Sequence, residues 1–322
     1  MRSAEIRGQV FAGKYARWNF IRMRAKSASP PRTPILGTLN IKENKRPRRL
    51  LRRKNFKIYM KIALAQTAVI RGEFEKNLDR AAATAKEAAA QSAELVVFPE
   101  MFVSGFDYKK NAEFLEKHPC EIEERLSDIA AVNSVAVAGS FPHIEPGWRA
   151  PSNRLALYAP DGRELAHYDK IHLFGVFHED RFVTPGKSAV VNNSPLGKVG
   201  FAVCYDIRFP ELFTRLADMG AKLIIICAAF PHPRSEHWRI LCRARAIENQ
   251  CYVAAVNQCG PEVFRGGSVK YCGMSAVFDP WGEIVAECPP DEENLAFADI
   301  DLGMVDEIRA RIPVFSDRRP IG

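Results

Sequence analysis

The hydrophobic pattern after residue 60 alternates short apolar runs with longer segments of helical period. The runs KIALAQ at 61–66 and LVVF at 95–98 predict buried strands, the second ended by Pro99. The Ala-rich segment 73–92 between them keeps its apolar residues on one face, which predicts a helix. A helix near 121–132 and a strand at 135–139 follow. This β-α-β-α-β order is typical of helices layered on a sheet.

Turn signals divide the rest of the chain into hairpins and further strand–helix pairs. PDG and DPWG each join two apolar runs and predict hairpins, at 155–168 and 275–287. The remaining apolar runs predict strands at 199–203, 223–226, 253–256 and 295–299, and the remaining helical periods predict helices near 209–219, 235–249 and 303–311. We therefore expect an α/β fold in which two sheets form the core and helices cover both outer faces.

Composition agrees with one large globular domain. The 322 residues are 47% hydrophobic and 26% charged, which excludes a mostly disordered chain. No run approaches the roughly eighteen apolar residues of a transmembrane helix, so we expect no membrane span. We predict a basic, disordered N-terminal extension over 1–59 and a single domain over 60–322.

The basic charge is concentrated in that extension. Residues 1–60 hold 17 Lys and Arg against two acidic residues, and 29 basic and 36 acidic residues follow, a net charge of −7. The body therefore has no electrostatic reason to bind nucleic acid or an anionic membrane. For the extension three interpretations stay open: a basic tail that binds polyanions, a targeting segment, or an unstructured stretch upstream of a start at Met60. A chain that begins at Met60 is expected to fold and stay active.

The eight cysteines form no C-x-x-C pair and no zinc-finger spacing. Several, including Cys227, lie in apolar runs where a free thiol packs as a small hydrophobic group. We therefore expect no disulfide framework and a reducing, cytoplasmic compartment.

Three polar residues end or follow apolar runs and could carry chemistry. Cys204 lies where a strand meets a helix, a corner similar to a nucleophile elbow, and a helix start there would favour its thiolate. Glu100 follows a buried strand, where desolvation would raise its proton affinity and suit a general base. Lys170 ends a hairpin strand and could stabilise an oxyanion. Each also has an ordinary interpretation: a packing cysteine, an exposed loop glutamate and a snorkelling lysine.

Taken together, the motifs around these residues resemble a known family. PEMF at 99–102, DKIHLF at 169–174 and CYDIRFPE at 204–211 resemble, in order and spacing, the Glu–Lys–Cys signature of the nitrilase superfamily of carbon–nitrogen hydrolases. The likeness covers residues 60–320. It implies an α-β-β-α sandwich, a homodimer with helices packed on helices, and no metal or organic cofactor.

The resemblance also implies roles for individual residues. Cys204 would be the nucleophile, Glu100 the general base and then acid, and Lys170 the oxyanion donor beside the Tyr205 amide. The chemistry is consistent, because an amide is a poor electrophile and its attack needs both a base and a cation for the oxyanion. A second glutamate of the family matches Glu179, with Asp180 as the adjacent competitor. For three histidines we expect packing or supporting roles rather than direct chemistry: His172, His178 and His237.

Within the superfamily, PEMF with SGF at 104–106, and PHPR at 231–234 ahead of HW, look like ω-amidases, which remove the terminal amide of acids such as 2-oxoglutaramate and 2-oxosuccinamate. Such substrates need a cation for the distal carboxylate, and Arg208 is the nearest candidate unless it forms a salt bridge to Asp206 or Glu211. Alternatives are a deaminated-glutathione amidase, an N-carbamoyl amidohydrolase, or an inactive domain whose basic extension binds nucleic acid.

Overall fold

The computed structural model of the protein describes residues 59–264 and 266–319. The hypotheses about residues 1–58 lie outside the described residues. The first strand begins at Tyr59, one residue before the predicted domain boundary.

The described residues form fourteen strands, which in chain order are β1 (Tyr59–Gln66), β2 (Leu95–Val97), β3 (Ala136–His143), β4 (Ser152–Tyr158), β5 (Glu164–Asp169), β6 (Val191–Ser194), β7 (Gly197–Val203), β8 (Leu223–Ala228), β9 (Tyr252–Asn257), β10 (Cys259–Phe264), β11 (Gly267–Cys272), β12 (Ala276–Phe278), β13 (Ile284–Glu287) and β14 (Asn294–Asp301). Two mixed six-stranded sheets contain most of them, in the orders β14-β1-β2-β3-β4-β5 and β13-β12-β9-β8-β7-β6. The strands β10 and β11 form a separate hairpin.

The same residues form eight α-helices, α1 (Phe74–Ala90), α2 (Tyr108–Lys117), α3 (Glu121–Asn133), α4 (Glu179–Phe182), α5 (Pro210–Asp218), α6 (Ser235–Asn249), α7 (Leu302–Arg311) and α8 (Val314–Asp317). The apolar faces of α1 and α3 pack on one sheet, and those of α5 and α6 pack on the other. Short 3₁₀ helices occupy Gly175–Phe177 and Cys204–Arg208.

The alternation along β1 shows why the chain layers in this way. Ile62 and Leu64 point into the core shared by the two sheets, whereas Ala63 and Ala65 point to the opposite face, toward α1 and α3. All four side chains are buried, so the strand has no solvent face. Full burial of each large aliphatic side chain contributes about 1.5–3 kcal/mol. The small alanines let the helices approach the sheet closely.

The result is the expected four-layer α-β-β-α sandwich. Both predicted hairpins are present, as β4–β5 and β12–β13, and each predicted strand and helix of the body has a counterpart. The sequence patterns missed α2, the short helices α4 and α8, the edge strand β6 and the β10–β11 hairpin. The strand β8 runs to Ala228, two residues beyond its predicted end, and the Ala228 carbonyl accepts the Glu100 amide at 3.3 Å.

No helix in the described part of the chain is both long and apolar enough to cross a membrane. All eight cysteines lie in the described part and are free thiols, seven of them buried.

Candidate active site

Four side chains singled out in the sequence meet where strands of the two sheets end. Glu100 follows β2, Lys170 follows β5, Cys204 follows β7, and Glu179 begins α4. Their exposed fractions are 0%, 1%, 9% and 2% respectively. Charged groups buried this deeply are costly unless they are paired, so their mutual contacts determine what the site can do.

The Lys170 ammonium is held between two carboxylates. Its Nζ donates to Glu100 Oε1 at 2.7 Å and to Glu179 at 2.7 Å (Oε2) and 3.0 Å (Oε1). Although burial alone would lower the pKa of Lys170, the two carboxylates raise it well above its usual value. The snorkelling interpretation is therefore wrong, and the ammonium is a fixed cation inside the site.

Further donors hold Glu100 in place. Its Oε2 accepts the Ala229 amide at 2.9 Å, and its Oε1 accepts Asn153 Nδ2 at 2.8 Å. The Glu100 carbonyl accepts Gln258 Nε2 at 2.7 Å. Burial raises the pKa of Glu100, and the charge of Glu179 raises it further, against the opposing effect of Lys170. Desolvation thus raises its proton affinity, as the sequence predicted.

Of the two acidic candidates between Lys170 and Cys204, Glu179 and Asp180, the structure places only Glu179 in the site. Besides Lys170, its carboxylate accepts the Phe174 amide at 2.8 Å and Asn153 Nδ2 at 3.1 Å. Asp180 is exposed. Asn153 bonds to both catalytic-site glutamates and so fixes the spacing between them.

Cys204 lies at a strained corner of the backbone. Its φ is +45°, in the left-handed region that residues other than glycine rarely adopt. Asp206 braces the corner by accepting the Val203 amide at 2.9 Å, the Tyr168 hydroxyl at 2.8 Å and His172 Nδ1 at 2.7 Å. The corner therefore presents the thiol to the pocket, as in a nucleophile elbow.

The expectation that a helix start would favour the Cys204 thiolate is wrong. Burial raises the pKa of Cys204 well above its usual value, and the charge of Glu100 adds to this, although Lys170 opposes it. In the resting site the neutral thiol is the favoured form. Attack on a carbonyl then requires a base, and Glu100 is the adjacent carboxylate.

Aromatic rings and two guanidinium groups surround the reactive groups. The pocket of about 30 Å³ that contains Cys204 is also bordered by Tyr205, Arg208 and Arg234. Cζ of Arg208 lies 5.4 Å from the centre of the Phe230 ring. Cζ of Arg234 lies 6.0 Å from the centre of the Phe174 ring.

Arg208 makes no salt bridge to Asp206 or Glu211 within the described residues, which corrects that interpretation. Its Nη2 lies 3.3 Å from His237 Nδ1 instead. The Asp206 carboxylate is occupied by the corner that it braces. A guanidinium without a carboxylate partner at the pocket wall can bind an anionic group of a ligand.

The three histidines lie in three different environments, none of them at the reactive groups. His172 stacks on Phe209 at 3.6 Å between ring centroids and bonds to Asp206. His178 is exposed. His237 contacts Arg208, and none of the three borders the pocket around Cys204. No group of His, Cys, Asp and Glu within residues 59–264 and 266–319 is arranged to hold a metal ion.

Three functional groups were missed in the sequence: the Asn153 side chain, the Ala229 amide and Arg234. Asn153 lies in β4 just before the apolar run that marked the hairpin, and it is 1% exposed. An amide side chain flanking a buried strand was the available signal. No sequence signal could reveal the Ala229 amide, because a backbone N–H donor does not depend on the residue type.

Comparisons with known proteins agree with this site. The family model described as carbon-nitrogen hydrolase matches residues 61–310. The chain is 38% identical to human omega-amidase NIT2 over 252 residues, which are 76% of this chain and 89% of that protein. It is 37% identical to the omega-amidase NIT2 of Danio rerio over 252 residues, which again are 76% of this chain and 89% of that protein.

Solved structures are similar as well. The C. elegans NitFhit protein superposes with a TM-score of 0.74 at 33% identity, over 81% of this chain and 65% of that one. An amidase from Nesterenkonia sp. superposes with a TM-score of 0.70 at 30% identity, over 79% of this chain and 95% of that one. In a mutant of that amidase, acrylamide is bound to the active site cysteine by Michael addition. This chain belongs to the carbon–nitrogen hydrolase family of the nitrilase superfamily and is a cysteine-dependent amidase.

Proposed function

We propose that the protein is an ω-amidase that removes the terminal amide of a short acid such as 2-oxosuccinamate or 2-oxoglutaramate. The observation that carries this proposal is Arg208, a guanidinium without a carboxylate partner in the described residues, in the same pocket as Cys204. The similarity to omega-amidases of several vertebrates supports it. The alternative of an inactive domain is disfavoured, because Glu100, Lys170 and Cys204 are all present and brought together.

In the proposed reaction, Glu100 takes the proton of the Cys204 thiol as sulfur attacks the amide carbon. Lys170 and the Tyr205 amide stabilise the oxyanion of the tetrahedral intermediate. Glu100 then gives its proton to the nitrogen, so that ammonia leaves and a thioester remains. Water hydrolyses the thioester with Glu100 again acting as base, and Glu179 keeps Lys170 in position throughout.

The distal carboxylate of the substrate would bind between Arg208 and Arg234. Both guanidinium groups border the pocket, and neither forms an ion pair within the described part of the chain. Charge-assisted hydrogen bonds of this kind contribute about 1.5–3 kcal/mol each. They would orient the far end of the substrate, its amide, toward Cys204.

The first prediction tests this carboxylate site. Arg208→Ala is expected to raise KM for 2-oxosuccinamate by about ten- to a hundredfold and to change KM for a neutral amide such as propionamide much less. Steady-state ammonia release measures both. Arg239→Ala, which removes a guanidinium of α6 that pairs with Glu287 outside the pocket, is the matched control. Equal losses on both substrates with Arg208→Ala would show that Arg208 is structural.

The second prediction concerns pH. Since the pKa of Glu100 is raised, kcat/KM should fall as the pH decreases through a value above the 4.5 of an ordinary glutamate, because a protonated Glu100 cannot accept the thiol proton. The pH profile of kcat/KM measures this limb. Glu179→Gln removes a charge that raises this pKa, so its limb should move to lower pH. A wild-type limb at or below pH 4.5 would contradict the assignment of Glu100 as the base.

We further propose a homodimer and a cytoplasmic location, as the family resemblance implies. Ile240 and Ile247 on α6 are 61% and 48% exposed, and Trp281 is 42% exposed. An outward apolar face of a helix supports packing against a second copy.

Free buried cysteines are compatible with a reducing compartment. We also propose that residues 60–322 form the hydrolase domain.

A further inference from the structure

A second cavity adjoins the pocket around Cys204. It measures about 300 Å³, against about 30 Å³ for the catalytic pocket, and the two share Phe106 and Phe177 as walls. We call it the aromatic side cavity, after the six rings that line it: Phe106, Tyr108, Phe177, Phe182, Phe264 and Tyr271. The proposed ω-amidase reaction leaves this space unused.

The walls of the side cavity favour a neutral aromatic group. Tyr108 and Phe182 stack with 5.1 Å between their centroids, and Phe106 lies 6.2 Å from Phe177. Aromatic pairs in offset or edge-to-face geometry gain stability beyond the burial of their surface, so a ligand ring packed on these walls would be stabilised. Phe182 and Phe264 are 49% and 39% exposed, so the cavity opens to solvent beside apolar side chains.

The charged residues of the side cavity are already paired. Arg71 Nη1 lies 2.5 Å from Glu262 Oε1, and the Tyr271 hydroxyl donates to Glu262 Oε2 at 2.7 Å. Arg71 Nη2 also donates to the Phe106 carbonyl at 2.8 Å. Two further polar groups belong to the wall: His178, which is exposed, and the Tyr108 hydroxyl, which is buried and has no hydrogen-bond partner among the described residues. The cavity thus offers shape and aromatic surface and lacks an unpaired charge for a second carboxylate.

The position of the side cavity relative to the two guanidinium groups indicates which part of a substrate enters it. Arg208 and Arg234 border the catalytic pocket and do not border the side cavity. With the substrate carboxylate at Arg208 and its carbonyl at Cys204, a nitrogen substituent that points toward Phe106 and Phe177, the two walls shared by both cavities, would enter the side cavity. In a primary amide that substituent is hydrogen.

We propose that the enzyme also cleaves secondary amides of short dicarboxylic acids, with a neutral aromatic group on the amide nitrogen occupying the aromatic side cavity. This rests on the proposed function, which places the substrate carboxylate at Arg208. The Cys204 thiol adds to the carbonyl carbon, and the C–N bond breaks. The leaving arylalkyl amine takes the thiol proton from Glu100, and water then hydrolyses the thioester to a carboxylate and a free thiol.

The test compares succinamate with N-benzylsuccinamate, which differ only in the benzyl group on nitrogen. The wild-type protein should release ammonia from the first and benzylamine from the second. Val269→Trp fills the side cavity from β11 and should lower kcat/KM for N-benzylsuccinamate by about tenfold or more, with succinamate changed by less than about threefold. Val263→Trp is the matched control, because Val263 lies on the same hairpin, is 72% exposed and does not border the cavity.

The outcomes separate this proposal from the function on which it rests. Hydrolysis of succinamate without hydrolysis of N-benzylsuccinamate overturns the cavity assignment and leaves the ω-amidase function intact. Equal losses on both substrates with Val269→Trp also overturn it. No turnover of either compound overturns this proposal, and it overturns the ω-amidase function as well when 2-oxosuccinamate is also not hydrolysed. Cleavage of N-benzylsuccinamate that is lost with Val269→Trp but unaffected by Arg208→Ala supports the cavity and contradicts the carboxylate site.

Discussion

Cys204→Ala is expected to fold as the wild type does and to lose amide hydrolysis by at least about a thousandfold. The fold should survive because alanine at this position would adopt the same φ of +45° as the cysteine, with no greater strain. Asp206 would still brace the corner. Chemistry should be lost because the thioester forms on the sulfur. Ammonia release measures the rate, and intact mass after brief mixing with substrate measures the acyl-enzyme.

The control for this prediction must be a buried cysteine remote from the site. Cys227 is a poor choice, because the charge of Glu100 contributes to the raised pKa of its thiol. Cys251 is fully buried, and burial raises the pKa of its thiol to about 12, against the opposing charge of Arg309. Cys251→Ala should lose about 1 kcal/mol of stability and keep its turnover. Turnover by Cys204→Ala close to that of wild type would rule out the thioester mechanism.

The strands and helices of the body were predictable because their local patterns agree with the fold. The strand β1 alternates large aliphatic residues with alanine, and α1 repeats alanine on its sheet-facing side. Such periodicities arise from burial on one face or both, and burial is what the sandwich requires. The family motifs added the order of the layers, which periodicity alone does not contain.

The elements missed have little apolar periodicity. Helix α2, YKKNAEFLEK, buries only Asn111 and Leu115, so its apolar face is too narrow to stand out from its charges. The β10–β11 hairpin lies outside both sheets and contains Pro261 and exposed residues near its tip. Burial is confined to the base of this strand pair, so the pair shows no sustained alternation. Its contact with Arg71, through Glu262, joins residues far apart in the chain.

Within the site, the sequence supplied the reactive groups and left their electrostatics open. From the sequence, Arg208 could either bind a substrate or pair with the carboxylate of Asp206. In the structure the Asp206 carboxylate accepts hydrogen bonds from Tyr168 and His172 instead. Likewise, the pKa of Cys204 follows from its burial beside Glu100, which a strand-to-helix corner does not reveal. These properties arise from contacts between residues far apart in the chain.

We expect both activity and stability to depend strongly on the buried lysine. Lys170 is the cation that the described structure places between Glu100 and Glu179, and its ammonium contacts both. Removing one partner of a buried ion pair leaves the other without compensation, which costs about 3–5 kcal/mol. Here one substitution leaves two carboxylates uncompensated.

Lys170→Met is therefore expected to lose about 3–5 kcal/mol of stability at neutral pH and about a thousandfold or more in turnover. The side-chain length is kept, so the loss reports the charge. Urea unfolding measures the free energy of unfolding, and ammonia release measures the rate. Lys109→Met is the matched control, because it breaks an exposed pair with Glu113 whose lysine is 86% exposed and should change stability by less than about 1 kcal/mol.

The stability loss of Lys170→Met should depend on pH in a defined direction. Without the ammonium, burial and the neighbouring charge of Glu179 raise the pKa of Glu100 in the folded state above the 4.5 of an ordinary glutamate, and the opposing effect of Lys170 is gone. The folded variant then binds more protons than its unfolded chain, so its stability falls as the pH rises through that raised pKa and recovers as the pH is lowered. The deficit relative to wild type should be largest at neutral pH and shrink toward pH 5. A deficit independent of pH would mean that lost packing, and not the unpaired carboxylates, destabilises the variant.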